Sequence, residues 1–163
     1  MGKLNIVAEP GQQAIVMTRT FDAPRALVFK AFTDPTSIPK WWGPADQTTT
    51  VDRMDAHAGG SWRFVHRGGD GEEQAFHGVY HTVVAPEKLI YTFEWEGLPN
   101  HAMLETITFE DDGGRTRMTD IAVFPTTEDR DGMMASGMEG GANETMDRLE
   151  ELLRTLMKSA ATA

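Results

Sequence analysis

Cysteine is absent from the 163-residue sequence. This absence excludes disulfide bonds, thiol nucleophiles, iron–sulfur clusters and zinc sites built from thiolates. A chain without cysteine is typical of cytosolic proteins, so we expect a cytoplasmic location.

Basic side chains are scarce relative to acidic ones. The sequence has 15 Lys and Arg against 25 Asp and Glu, which gives a formal net charge of −10. Because phosphate groups and anionic lipid surfaces bind basic faces, this balance excludes nucleic acid and membrane surfaces as main partners. No apolar run approaches the roughly 20 residues that span a bilayer, and residues 1–6 lack the apolar core of a signal peptide.

The usual catalytic motifs are also missing. No serine lies in a G-x-S-x-G motif, and the glycine clusters follow neither the dinucleotide-binding nor the phosphate-loop pattern. His77 and His81 share a predicted strand, where a spacing of about 3.3 Å per residue places them about 13 Å apart, too far to share a metal ion. We therefore expect no catalytic residue, no metal site and no cofactor.

Turn-forming residues divide most of the chain into segments with alternating apolar residues, which predicts antiparallel strands joined by hairpins. The predicted strands cover residues 13–21, 47–54, 60–67, 74–84, 88–96, 102–110 and 115–124. Two short helices follow the first strand. A helical period between Met134 and Leu156 predicts a long C-terminal helix, with a Glu150–Arg154 pair on its outer face. This order predicts an α+β fold, in which a curved antiparallel sheet of six to seven strands wraps around the helix. We expect one domain over residues 1–163, with a core at about 14–157.

Short motifs along the chain carry a resemblance to a known family. They are FDAP at 21–24, VF at 28–29, AFTDP at 31–35, WWGP at 41–44, GGSWRF at 59–64, FHGVY at 76–80, PEKLIYTFEW at 86–95 and GRTRMT at 114–119. Together they resemble the activator of Hsp90 ATPase homologue domains of the START-like (SRPBCC) superfamily. The resemblance implies the helix-grip, or Bet-v-one-like, fold, with an apolar cavity between the concave face of the sheet and the C-terminal helix. It also implies hydrophobic small molecules such as lipids or polyketides as ligands, or a chaperone as partner.

Strand alternation and helical period select the side chains that face this cavity. The predicted apolar wall consists of Trp62, Phe64, Tyr91, Phe93, Trp95, Met118, Met134 and Met138. The predicted polar contacts, which would give ligand selectivity, are His66, Tyr80, Glu105 and Asp120.

Glu105 and Asp120 form the sharpest predicted feature of the cavity. A hairpin loop around Asp112 and Gly113 predicts that Phe109 lies opposite Thr116, so that Glu105 lies opposite Asp120. Directly opposed residues have Cβ atoms about 4.5–5.5 Å apart, and like charges at that distance raise one pKa. The pair is then a polar anchor or proton donor for a ligand. The alternative is a register slip by one residue, or exposure at the open end of the sheet.

Two further features each allow two interpretations. Gly132, Gly137, Gly140 and Gly141 interrupt the C-terminal helical pattern, either to leave space for a ligand or because the helix is broken, with a kink at the Gly140–Gly141 pair. The Trp41–Trp42 pair forms either a lid or partner surface, or a plug that seats the short helices on the sheet.

These observations predict a non-enzymatic protein that binds a hydrophobic or aromatic small molecule. One alternative is a cyclase- or hydrolase-like enzyme acting on a polyketide-like or aromatic substrate, with Glu105, Asp120 and His66 as its acid–base groups. A second alternative is a chaperone-associated interaction module in the stress response. A homodimer formed through a sheet edge or the Trp41–Trp42 region is compatible with each.

Overall fold

The computed structural model describes residues 3–162; Met1, Gly2 and Ala163, which the sequence assigned to the same domain, lie outside the described residues. Eight strands and four helices follow one another along the chain. They are β1 (Asn5–Val7), β2 (Ala14–Phe21), α1 (Arg25–Thr33), α2 (Ile38–Trp41), β3 (Thr48–Met54), β4 (Ser61–Arg67), β5 (Glu73–Val84), β6 (Lys88–Trp95), β7 (Met103–Asp112), β8 (Arg115–Val123), α3 (Thr127–Ala135) and α4 (Met138–Thr162).

The strands form one antiparallel sheet of eight strands in the order β1-β2-β8-β7-β6-β5-β4-β3. This sheet and its long C-terminal helix confirm the predicted α+β helix-grip fold. The strand beyond the predicted six to seven is β1, an edge strand of 3 residues. A segment that short carries too few residues to establish an alternating pattern.

The hairpin between β7 and β8 has a different register from the predicted one. Its turn consists of Gly113 and Gly114, whose φ angles are 62° and 88°, as a two-residue hairpin turn requires. Glu105 therefore lies opposite Ala122, and Asp120 lies opposite Ile107. The predicted register was wrong by two residues. Because a slip of two leaves every side chain on its original face, Glu105 and Asp120 still share one face, as diagonal neighbours.

The C-terminal helical region is two helices rather than one. Thr126 caps the N-terminus of helix α3, and its Oγ1 accepts a hydrogen bond from the Asp129 backbone N–H at 3.0 Å. It ends before Gly137, which has φ 83°, a left-handed conformation that commonly terminates helices. The helix is not broken at Gly140–Gly141, since α4 runs through both residues from Met138.

Helix α4 packs on the concave face of the sheet, where Leu149 and Leu153 are fully buried. Glu150 is buried as well, so the predicted Glu150–Arg154 surface pair was wrong. Arg154 instead donates to Glu151 Oε2 at 2.5 Å. The buried part of α4 is wider than the stripe of apolar residues indicates, and α4 also packs against α1 and α2.

The two adjacent tryptophans have different environments. Trp41 is 2% exposed, and its indole Nε1 donates to the Ala31 carbonyl at 3.0 Å, so it acts as the plug between α1 and α2. Trp42 is half-buried and its ring contacts those of Phe64 and Phe76 across the inside of the sheet. Within residues 3–162, no helix is both long and apolar enough to cross a membrane.

Candidate functional site

A cavity of about 300 Å³ lies between the concave face of the sheet and the N-terminal part of α4. Its wall is formed mainly by aromatic, methionine and small side chains. The lining residues are Leu4, Met17, Phe32, Ile38, Trp41, Trp42, Gly43, Trp62, Phe64, His66, Phe76, Tyr80, Leu89, Tyr91, Phe93, Met103, Glu105, Ile107, Met118, Asp120, Met133, Met138, Gly141, Ala142, Thr145 and Met146. The predicted residues Trp62, Phe64, His66, Tyr80, Tyr91, Phe93, Glu105, Met118, Asp120 and Met138 are among them.

Two predicted wall residues, Trp95 and Met134, do not line the cavity. Trp95 is the last residue of β6 and is 40% exposed; its Nε1 donates to Gln74 Oε1 at 2.7 Å. The strand ends there, so the alternation no longer fixes where the ring points. Met134 packs against a second apolar cluster that contains Ile15 and Phe124. Its neighbour Met133 lines the cavity instead, because the separate helix α3 turns a different face inward.

The sequence analysis missed Met17, Trp42 and Phe76 as lining residues. Phe76 shares its strand face with Tyr80 and was accessible to the same alternation argument. Met17 shares a face with Ile15 and Phe21 on β2, so the alternation of that strand also indicates an inward side chain. Trp42 lies just after the 4-residue helix α2, so no sequence period determines its direction.

Glycine and alanine on α4 leave room for the cavity. Gly141 and Ala142 are lining residues, and a Cβ added to Gly141 would meet no atom within 4 Å. Gly141 is itself exposed, so the open space beside it borders solvent as well as the cavity, and accommodation of a ligand by this glycine stays a prediction.

Glu105 and Asp120 form a buried acidic pair in the wall, with exposures of 7% and 6%. Glu105 lies directly opposite Tyr91 of β6 and diagonally from Asp120 of β8. Burial raises the pKa of Glu105, and burial together with the neighbouring Glu105 carboxyl raises the pKa of Asp120 well above its usual range. Two carboxyls without a cation cannot both ionise cheaply at low dielectric, so the pair retains a proton at pH values where surface carboxyls have lost theirs.

Tyr91 completes this polar cluster. Burial, followed by the nearby Glu105 and Asp120 carboxyls, raises its pKa well above the usual value of a phenol. Its hydroxyl is therefore neutral at physiological pH and available as a hydrogen-bond donor. Tyr80 lies beside it, with ring centroids 6.0 Å apart, and burial raises the pKa of Tyr80 as well.

His66 lies elsewhere in the cavity wall, on β4. Its ring centroid lies 4.9 Å from that of Trp42 and 5.0 Å from that of Phe76, and its buried Nε2 has no hydrogen-bond partner. Burial, followed by the positive charge of Arg148, lowers the pKa of His66 to about 4. The imidazole is thus neutral near pH 7.

The loop after α2 closes the wall beside His66. Arg148 of α4 donates to the carbonyls of Gly43 at 2.5 Å and Lys40 at 3.2 Å. Gly43 has φ 89°, and a Cβ there would lie 2.3 Å from His66 Nε2. Both the backbone conformation and the close approach therefore require glycine at this position.

The cavity contains acidic and neutral polar groups, and no Lys or Arg is among its lining residues. In the part of the chain that the structure describes, no three His, Cys, Asp or Glu side chains are grouped so as to hold a metal ion. The chemistry available at the wall is apolar contact, hydrogen bonding from protonated oxygens, and proton exchange with the acidic pair.

The family model described as "Activator of Hsp90 ATPase homolog 1-like protein" matches residues 22–154. The chain belongs to this family. The matched range runs from the residue after β2 into α4, and so contains all the polar residues of the cavity described above.

Solved structures from bacteria are similar to this member of the Hsp90-activator homologue family. A protein from Staphylococcus epidermidis, determined in solution by NMR, is 30% identical over 93% of this chain and 94% of its own, with a TM-score of 0.80. A crystal structure from Rhodobacter sphaeroides has a TM-score of 0.86 at 24% identity, with 94% and 99% coverage. The AHSA1 protein from Silicibacter pomeroyi has a TM-score of 0.72 at 20% identity, with 87% and 98% coverage. The last two likenesses establish the fold alone. No curated protein matched the chain in the corresponding comparison.

Proposed function

We propose that this protein binds a hydrophobic or aromatic small molecule in the cavity, without chemical turnover. The observation that carries the proposal is a cavity of about 300 Å³ whose wall is mainly aromatic and methionine side chains with few polar groups. This composition is typical of small-molecule sites. Membership of a family with a ligand-binding fold supports it.

Affinity in such a site comes from burial of apolar ligand surface, at about 25 cal/mol per Å². Met17, Met103, Met118, Met133 and Met138 all line the cavity. Methionine is unbranched and polarisable, so these side chains adapt to ligands of different outline. We therefore propose that shape selectivity is broad, and that the polar residues His66, Tyr80, Glu105 and Asp120 set the orientation of the ligand.

The test uses the neutral fluorescent probe N-phenyl-1-naphthylamine, which brightens in apolar sites. Gly141→Leu places a side chain in the open space at the wall and is expected to weaken probe binding at least about tenfold. Gly140→Leu is the matched control, since Gly140 is the preceding residue of the same helix, is not a lining residue, and also has no atom within 4 Å of an added Cβ. Absence of saturable binding to the wild-type protein, or equal weakening by both variants, would overturn the proposal.

A second candidate function is proton-transfer chemistry on a bound aromatic molecule. One observation favours it: the acidic Glu105–Asp120 pair and His66, a neutral imidazole near pH 7, line the same cavity. It predicts product formation that Glu105→Gln abolishes while probe binding persists. Binding without product, in both the wild type and the variant, supports the non-enzymatic function.

The remaining expectations stay predictions. They are one domain over residues 1–163 with a core at about 14–157, a cytoplasmic location, a homodimer, a chaperone partner and a role in the stress response. Pull-down with a purified chaperone and measurement of mass in solution test the partner and the dimer directly.

A further inference from the structure

The charged groups at the cavity wall have only one sign. Glu105 and Asp120 are lining residues, His66 is neutral near pH 7, and no Lys or Arg lines the cavity. Two guanidinium groups lie nearby. Arg19 Nη1 pairs with Asp147 Oδ1 at 2.8 Å, while its Nε and Nη2 are buried and have no hydrogen-bond partner among the described residues; Arg148 donates to backbone carbonyls. Neither arginine contacts the acidic pair through a hydrogen bond or ion pair.

The acidic pair is also incompletely satisfied. Asp120 Oδ1 is buried and has no hydrogen-bond partner within residues 3–162, although the side chain lines the cavity. The residues opposite Asp120 on the two neighbouring strands are Met17 and Ile107, which cannot supply a strong donor. An unpartnered buried carboxyl oxygen is costly, so a donor supplied by a ligand would recover the lost interaction.

Aromatic rings surround the same part of the wall. Tyr91 lies next to Glu105, with the Tyr80 centroid 6.0 Å and the Trp62 centroid 6.1 Å from the Tyr91 centroid. The indole nitrogen of Trp62 already donates to the Thr92 carbonyl at 3.2 Å, which leaves its ring face for packing. Ring faces attract cations, and carboxylates attract them more strongly.

We propose that the cavity selects apolar or aromatic ligands that carry a protonated amine, held by the Glu105–Asp120 pair, and that it rejects ligands that carry a carboxylate. The inference rests on the proposed binding function and specifies its ligand class. The formal net charge of −10 acts in the same direction, because it favours the approach of cations over anions.

Proton linkage gives this inference a second consequence. Burial raises the pKa values of the free pair, whereas a bound ammonium group stabilises its ionised form. Binding of the amine therefore releases protons, and its affinity increases with pH until the free pair has ionised. The other titratable residues at the wall are Tyr80 and Tyr91, with pKa values raised above the ordinary phenol value, and His66, with a pKa of about 4. None of these three accounts for proton release near pH 7.

The experiment compares three probes that share a naphthalene ring: 2-naphthylmethylamine, 2-naphthylmethanol and 2-naphthoate. We expect the amine to bind at least about tenfold more tightly than the alcohol, and the carboxylate at least about tenfold more weakly. Calorimetry near pH 7 in two buffers of different ionisation enthalpy is expected to show proton release for the amine alone.

The double variant Glu105→Gln, Asp120→Asn keeps the side-chain shapes and removes both charges. It is expected to bind amine and alcohol equally, whereas the control Glu150→Gln, which neutralises a buried carboxyl that is not a lining residue, retains the preference for amine. Retained binding of the alcohol shows that the double variant is folded. If the double variant fails to fold, the buffer-dependent proton release of the wild type tests the selection of amines instead.

The outcomes separate the two proposals. If the wild type binds the alcohol as tightly as the amine, or if the double variant keeps the preference, the selection of amines is overturned and the binding function stands. If no naphthalene probe binds and N-phenyl-1-naphthylamine does not bind either, the binding function itself is overturned.

Discussion

Two carboxylates from adjoining parts of one sheet have opposite surroundings. Glu96, just after β6, lies on the outer surface, where Arg63 donates to it at 2.8 and 3.0 Å and the His77 Nδ1 lies 3.0 Å away. The Arg63 hydrogen bonds, more than any other influence, lower the pKa of Glu96 to about 2. Glu105 of β7 lies in the cavity wall without a cation, and burial raises its pKa.

The contrast separates a charge that is compatible with folding from one that opposes it. The outer carboxylate is ionised, paired and partly hydrated, as is usual for surface charges. The inner pair occupies positions where apolar side chains of similar size would be more stable. A local departure from the pattern that favours stability is most often found at a functional site, which directs attention to the cavity.

The largest expected loss of stability comes from replacing a glycine in the cavity wall, and it is compared with the loss from replacing a glycine on the outer surface. Gly43 and Gly59 have similar φ angles of 89° and 87°, but only Gly43 has a neighbour within 4 Å of an added Cβ. Gly59→Ala is expected to cost about 1–2 kcal/mol from the backbone conformation alone. Gly43→Ala is expected to cost about 1–3 kcal/mol more, because the methyl group overlaps His66. Urea denaturation measures both, and equal losses would contradict the close packing at His66.

The next effect is the pH dependence of stability. A carboxyl whose pKa is higher in the folded chain than in the unfolded chain stabilises the fold below its unfolded pKa. That contribution is lost as pH rises through its folded pKa. The double variant Glu105→Gln, Asp120→Asn is therefore expected to melt on the order of a few degrees higher than the wild type at pH 8, with a smaller gain at pH 5.

Glu96→Gln is the control for that measurement. A pKa lowered to about 2 places the stability contribution of Glu96 above its unfolded pKa, and it is lost only as pH falls through about 2. This variant should leave the wild-type change between pH 5 and pH 8 intact. Scanning calorimetry at pH 5 and pH 8 measures the stability of both variants. If the double variant shows the same change of stability with pH as Glu96→Gln, the proposed destabilisation by the inner pair is contradicted.

The smallest effect concerns the outer network itself. Arg63→Gln removes its interactions with Glu96 and Asp52, but the side chains of Arg63 and Glu96 are each 33% exposed. Exposed ion pairs contribute about 0.2–1 kcal/mol, and salt screens them. We expect a loss in this range that shrinks further in high salt, measured by urea denaturation. If Arg63→Gln lost more stability than Gly43→Ala, the outer network would matter more for stability than the cavity wall, contrary to this prediction.

Much of the fold was predictable because its strands alternate strictly. Phe64 and His66 on β4, and Tyr91 and Phe93 on β6, were assigned to the inner face by alternation, and all four line the cavity. The register of β7 and β8 was not predictable to the residue, because the sequence around Gly113 allows turns of different length. The predicted inward and outward faces of these two strands were still correct, because the predicted and observed registers differ by an even number of residues.

Other parts of the site depend on tertiary contacts that have no local signal. The helical region breaks at Gly137 rather than at Gly140 or Gly141, and the presence of glycine at all three positions did not indicate which one would break it. That break exchanged Met134 for Met133 at the cavity wall. Glu150 is buried although it lies outside the apolar stripe, and a helical period cannot report the packing of α4 against α1 and α2.

The break at Gly137 makes the cavity wall a jointed structure. Met133 lies on α3 and Met138 on α4, and both line the cavity. Farther along, α4 is fixed by Leu149 and Leu153 in the core and by the hydrogen bonds of Arg148. A torsional change at Gly137 therefore alters the gap between the two methionines without breaking a hydrogen bond inside either helix.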